Sequence, residues 1–331
     1  MSYRFELREK TAAGYSRIVT EQIDRVLSEL KDTPNRATAI HEGRKSLKRI
    51  RALLRLMRPG LGESVYKAEN ARFREIAGLF SADRDRYVLY GIADALQDAM
   101  DPRHNDAFKV IKASLTPKTA NGAADHGNDK SREAAAMLKA ARTETASRRV
   151  RPDSFETIQA GLEKSYREGR KQLRAAYDKP EDEAFHDLRK SVQQHWRHMQ
   201  VLQSAWPDLF AARVAAAKHV SQILGDDHDL SVFVAHLKTL PREKLAAAER
   251  RAIEKFCRDR QKAARQNARP LCNQLFADRA GTFAKRIAII WVSAEQVDKM
   301  ENAKSAPAKP KQKKPKKAKR RGNSTQPSQT T

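Results

Sequence analysis

The stretch AIHEGRKSLKRIRALLRLMR, from Ala39 to Arg58, decides how this chain is read. At helical spacing His41, Arg44, Lys48, Arg51, Arg55 and Arg58 recur at alternating steps of three and four, with Lys45 beside them, so they form one continuous stripe. Ile40, Leu47, Ile50, Leu54, Met57 and Leu61 keep the same spacing one residue out of phase, which sets the core-seeking row next to the cationic row. Such a helix anchors itself along one edge and presents another. At about 1.5 Å per residue the basic edge is roughly 26 Å long, enough to follow a string of phosphates. Lys and Arg beside an apolar stripe often only snorkel, laying their stems on the core and their charges in water. A stripe without an acidic member fits that reading poorly, because like charges at these spacings repel by a few tenths of a kcal/mol per pair.

The rest of the composition agrees with a helical, anion-seeking protein. A chain of 331 residues with 40% hydrophobic content can bury a sizeable core. Aromatic residues make up 6%, and 13 Gly and 13 Pro are few for this length, while long segments rich in Ala, Leu, Arg, Glu and Lys carry helical spacing. The expectation is an all-α fold. The run IAIIWV at Ile287 to Val292 resembles a strand, but Phe283, Ile287, Ile290, Trp291 and Ala294 give it a helical period. The net charge of +25, from 66 Lys and Arg against 41 Asp and Glu, makes an anionic partner the default. Residues 302–331 hold ten Lys and Arg and no acid, so the remainder still carries +15. Cys257 and Cys272 suit neither a zinc motif nor a disulfide framework, no apolar run reaches the roughly 20 residues that cross a bilayer, and MSYRFELREK lacks a signal-peptide centre. A soluble cytoplasmic protein is the expectation.

Along the chain, the periodicity predicts a first helix over Thr11 to Leu30, then the basic-stripe helix ending at Pro59-Gly60, where Pro cannot continue the hydrogen bonds. Further helices are predicted near 63–80, 84–99 and 104–115. TPKTANGAADHGNDKS, Thr116 to Ser131, reads as a surface loop, and an Ala-rich helix from Arg132 to Arg149 leads to Pro152. The second half then repeats the first. AFHDLRKS at Ala184 aligns with AIHEGRKS at Ala39 at an offset of 145, and ILGDDHDLSVF at Ile223 aligns with LFSADRDRYVL at Leu79 at an offset of 144. Two anchors at nearly equal distance imply a duplication, with repeats at about 5–150 and 151–301. Two similar antiparallel helical bundles related by a pseudo-twofold axis would then face a shared basic groove.

The pair of His-x-x-Arg-Lys helices, His41/Arg44/Lys45 and His186/Arg189/Lys190, with GDDHDLSVF after the second, resembles the CHAD domain, named for histidines in an α-helical domain. The likeness runs from MSYRFELREK to about Glu301. It implies two helical bundles around a basic groove that binds inorganic polyphosphate, and association with polyphosphate-containing granules in bacteria. Carried over by position, the implied contacts are His41, Arg44, Lys45, Lys48, Arg51 and Arg55, then His186, Arg189, Lys190 and Arg197. The chain departs from the family's basic pattern at Gln193, Gln194 and Trp196, which weakens the second stripe. The β-barrel of the CYTH type, to which this domain is fused elsewhere, is not visible, so a stand-alone copy is expected.

Other constellations read more plainly. His186, His195 and His198, with His228 and His236, invite a metal, but His195 falls on the apolar row Phe185, Leu188, Val192, Met199, Leu202, where a hydrogen-bonded core histidine fits, and the surrounding cations repel a divalent ion. No metal and no cofactor is expected. Asp83, Asp85, Asp226, Asp227 and Asp229 are read as helix starts that cap and balance the dipole; the alternative has Asp85 and Asp229 orienting groove arginines through bidentate pairs. Nucleotide-binding glycine loops and an H-E-x-x-H zinc helix are both missing from the sequence, so a non-enzymatic protein is expected. The tail SAPAKPKQKKPKKAKRRGNSTQPSQTT lacks the apolar residues to fold and reads as a disordered basic arm able to hold polyphosphate or nucleic acid. A nucleic-acid-binding protein is the competing reading, although the basic helix offers no aromatic platform for bases. A phosphate-chain enzyme is a third, for which no general base can be named.

Overall fold

Among the described residues the chain forms α-helices and short 3-10 turns and no strand. The computed structural model describes residues 3–31, 36–80, 82–116 and 123–305. In chain order the helices are α1 (Thr11–Lys31), α2 (Arg36–Leu61), α3 (Glu63–Gly78), α4 (Ala82–Ala99), α5 (Asn105–Leu115), α6 (Ala123–Ala146), α7 (Phe155–Asp178), α8 (Asp182–Val201), α9 (Pro207–Thr239), α10 (Ala247–Leu275) and α11 (Ala280–Ser305). The IAIIWV run lies inside α11, as its period requires.

Helix α2 is central because its apolar row is continuous. Leu47, Ile50, Leu54, Met57 and Leu61 are buried, and the helix packs against α1, α3, α7 and α8. It runs one residue past the predicted stop, with Pro59 in its last turn, where the ring supplies no N–H for the Arg55 carbonyl and the helix ends within three residues. The turn is closed by Gly62, which donates its N–H to the Arg58 carbonyl at 3.1 Å and has φ 81, a left-handed conformation that suits glycine. On the opposite side α7 comes so close that a Cβ at Gly161 would lie 1.8 Å from the Leu56 carbonyl oxygen.

The halves clasp each other. The Phe5 N–H donates to the Val201 carbonyl at the end of α8, and the Arg151 N–H donates to the Gly60 carbonyl at the end of α2, at 2.8 and 2.9 Å. Asp153 accepts from the Ala12 N–H at 2.7 Å and so caps α1 from across the boundary. The main apolar interior is built from both halves, including Ile18, Leu54, Leu162 and Phe283. A smaller one joins α4 and α5 to the end of α9 and the start of α10 through Leu96, Phe108, Phe233 and Ile253. Contacts across the boundary are unequal: α2 packs along α7, whereas α8 makes no comparable contact with α1.

Three further boundaries differ from the sequence reading. Helix α6 begins at Ala123, so the predicted loop is shorter; of the remainder, 117–122 lie outside the described residues. Helix α11 continues to Ser305, so the first residues assigned to the basic tail are helical, and 306–331 lie outside the described residues. Helix α9 runs unbroken through Gly225 to Asp229, so Asp226, Asp227 and Asp229 do not start a helix. Asp227 is buried and accepts from Arg265 Nε of α10 at 2.6 Å, so its carboxylate is held by a neighbouring helix rather than by its own backbone.

Candidate functional site: a basic groove between two helices

The α2 and α8 helices are pinned together by His198, whose Nε2 lies 3.0 Å from the Ala52 carbonyl oxygen. Above this contact a groove of about 400 Å³ opens between them. Arg44, Lys48, Arg51 and Arg55 enter from α2, and His186, Arg189, Lys190, Gln193, Gln194 and Arg197 from α8. No carboxylate lines it among the described residues.

Several of these side chains are held in place. Arg44 donates to the carbonyls of Ala77 and Phe80 at the end of α3, at 3.4 and 3.2 Å, and Arg51 Nε donates to Asn70 at 3.1 Å. Arg197 is buried, donates to the Gln193 carbonyl and lies over the Trp196 ring. Arg189 rests against α9 where Gly225 leaves room: a Cβ there would be 3.0 Å from Arg189 Nη2. Burial, and then the Arg55 charge, push the Arg51 pKa down; burial, and then Arg49, do the same for Arg197. Cations so crowded gain from an anion that supplies the missing counter-charge.

His186 stacks on His228 of α9 with ring centroids 4.1 Å apart, and its Nδ1 is buried without a hydrogen-bond partner. Burial, and then the His228 ring, lower the His186 pKa to about 4. Burial, and then Arg189, lower that of His228. The groove thus contains neutral imidazoles near pH 7.

Eight of the expected contact residues therefore meet in one groove, and two do not. His41 is exposed outside it, and Lys45 pairs with Glu42 at 2.6 Å. The stripe is also less free of acids than its sequence suggests, because Arg58 turns to Glu63 at 2.6 Å and lies over the Tyr66 ring. Asp229 approaches Arg189 only to 4.0 Å, too far for a bidentate pair, and the Asp85 side chain lies outside the described residues. His195 is in the core as expected, among Tyr166, Phe276 and Phe283, but its Nε2 has no hydrogen-bond partner. Asn70 and His228 were not foreseen as groove residues. They come from α3 and α9, and His228 stood in the repeated GDDHDLSVF segment that could have pointed to it. Among the described residues no three His, Cys, Asp or Glu side chains are grouped to hold a metal. None of the described helices is long and apolar enough to cross a membrane.

An all-helical protein with a cationic groove between two His-x-x-Arg-Lys helices is the class that fold and site define. A sequence model of the CHAD domain matches residues 17–238, well over half of the chain, and the chain belongs to that family, which is associated with polyphosphate binding. The match runs from α1 to the end of α9, so α10 and α11 lie beyond it. No curated protein matches the chain.

Proposed function

We propose that this protein binds inorganic polyphosphate along the α2–α8 groove, as a non-enzymatic binding module that associates with polyphosphate-containing granules in the cytoplasm. The observation that carries the reading is the convergence of seven Lys and Arg side chains, from Arg44 to Arg197, on one groove without a lining carboxylate among the described residues. A polyphosphate chain repeats one charged unit, so it needs a row of cations rather than a shaped pocket, and binding releases its condensed counterions. Arg55 and Lys48 extend the row along α2, and Arg189 and Lys190 face it from α8. Nucleic acid is the competing ligand; apart from His186 and His228 no ring among the described residues lines the groove to stack on bases.

Isothermal titration with long-chain polyphosphate tests the proposal. Binding should persist in a chain ending at Ser305 and should weaken at least tenfold in Arg44→Ala/Lys48→Ala. DNA should displace polyphosphate poorly from the truncated chain, and incubation should release no orthophosphate. Equal competition by DNA would move the groove to nucleic acid, and steady phosphate release would make the protein an enzyme.

A further inference from the structure

A second group of arginines converges on a cleft of about 280 Å³ between α7 and α10. Two tyrosines of α7 pin the helices together there: the Tyr166 hydroxyl donates to the Leu275 carbonyl at 3.0 Å, and the Tyr177 hydroxyl to the Arg265 carbonyl at 2.5 Å. Between these pins Arg170 and Arg174 enter from α7 and Arg269 and Asn273 from α10, over a buried floor of Leu173 and Phe276. Among the described residues Asp178, at the end of α7, is the one carboxylate that lines the cleft.

The three guanidiniums are oriented without being neutralised. Arg170 donates to the Asp278 carbonyl, and Arg269 lies over the Tyr177 ring, 5.0 Å from its centroid. Among the described residues none of the three is ion-paired, whereas the neighbouring arginines are: Arg167 with Glu163, Arg265 with Asp182 and Asp227, and Arg286 with Asp278. Arg170 and Arg269 stand more than a turn before the ends of α7 and α10, too far in to balance the helix dipoles, which act within the last turn. Guanidiniums that face one another over an apolar floor repel until an anion joins them.

The cleft differs from the α2–α8 groove in a way that sets the size of that anion. The groove is a row of cations without a lining carboxylate among the described residues, suited to a chain. Here Asp178 closes one end and repels a further negative charge, and three guanidiniums against one carboxylate leave two positive charges. A phosphoryl group carries up to two negative charges, and the planar arginine fork matches its oxygens in pairs. The volume, at the low end of the roughly 300–1,000 Å³ of small-molecule pockets, also favours a compact ligand.

We propose that the α7–α10 cleft is a second anion site, which binds a compact phosphate, taken either free, as pyrophosphate, or as the end of a longer chain. The site is separate from the α2–α8 groove and does not depend on what the groove binds.

Equilibrium dialysis with labelled pyrophosphate tests this, using the full chain with Arg44→Ala/Lys48→Ala to weaken the groove, at about 0.15 M salt, where diffuse attraction is screened. Saturable binding is expected. Adding Arg174→Gln/Arg269→Gln, which alters exposed side chains, should weaken it at least about tenfold with an unchanged circular dichroism spectrum. Lys238→Gln/Lys244→Gln removes the same charge near the other end of α10 and should leave it unchanged. In the chain with an intact groove, a loss of long-chain polyphosphate affinity on Arg174→Gln/Arg269→Gln would assign the cleft to chain ends, and an unchanged affinity would assign it to free phosphate. Absence of saturable pyrophosphate binding overturns the proposal, as does binding undiminished by Arg174→Gln/Arg269→Gln. An equal loss in the lysine control would reduce the effect to net charge, and equal affinity for succinate would make this a carboxylate site; either result also overturns it.

Discussion

Arg189 shows how a groove residue depends on a neighbour that never touches ligand. Its guanidinium occupies the space over Gly225, so Gly225→Ala would displace it while improving the helical propensity of α9 by about 1 kcal/mol. The expected outcome is a melting temperature at or above the parent's together with polyphosphate affinity lowered several-fold; a parallel change in both would show that Gly225 serves packing only. His186 makes a second point at this scale. Its free-state pKa, near 4, reflects burial and the adjacent His228, and a phosphate chain in the groove would favour the charged form and raise it. Protons are then taken up on binding, so affinity should increase as pH falls from 7 through the raised bound-state value, and level off below about 4. Titrations between pH 7.5 and 5 check this, and His186→Gln should flatten the slope. The imidazoles were visible as residues, but not as a stacked pair, because His228 reaches the groove only through the packing of α9 on α8.

The two groove helices contribute unequally. Helix α2 supplies Arg44, Lys48, Arg51 and Arg55, whereas α8 places Gln193 and Gln194 where further cations could stand. Arg44→Ala/Lys48→Ala should therefore cost more affinity than Gln193→Ala/Gln194→Ala, and should lower the salt dependence by roughly two counterions while the glutamine pair leaves it unchanged. Circular dichroism must accompany the first variant, since Arg44 also closes the end of α3. Equal salt slopes would point to diffuse attraction by net charge. Packing of these helices has its own sensitive point at Gly161, where Ala would collide with the α2 backbone; a loss of several kcal/mol is expected by thermal or urea unfolding, despite the better helix former. Much of this level was legible, because the α2 stripe is a local period and its apolar row went to the core. The continuity of α9 was not. Gly225-Asp226-Asp227 reads locally as a helix start, and only the burial of Asp227 against Arg265 shows why the backbone carries on.

At the scale of the molecule, acid should unfold the protein earlier than its basic composition suggests. His198 is fully enclosed between the two groove helices, and burial lowers its pKa to about 4; burial, and then Arg213, push His195 well below the ordinary value. The unfolded chain protonates both first, near 6.5, so their stabilising effect is complete above that pH and is lost progressively as pH falls toward 4. Melting temperatures should drop steadily between pH 7 and 5, and a constant value across that interval would contradict it. The all-α class was legible from composition and period, but the sharing of one core by both halves was not, since it depends on which rows of distant helices meet. The reciprocal bonds Phe5 to Val201 and Arg151 to Gly60, with Asp153 on α1, have a further consequence. Each half finishes a helix end that belongs to the other, so a chain severed between α6 and α7 should yield two pieces that are incomplete singly yet recognise each other when mixed, a ready-made pair for fragment complementation.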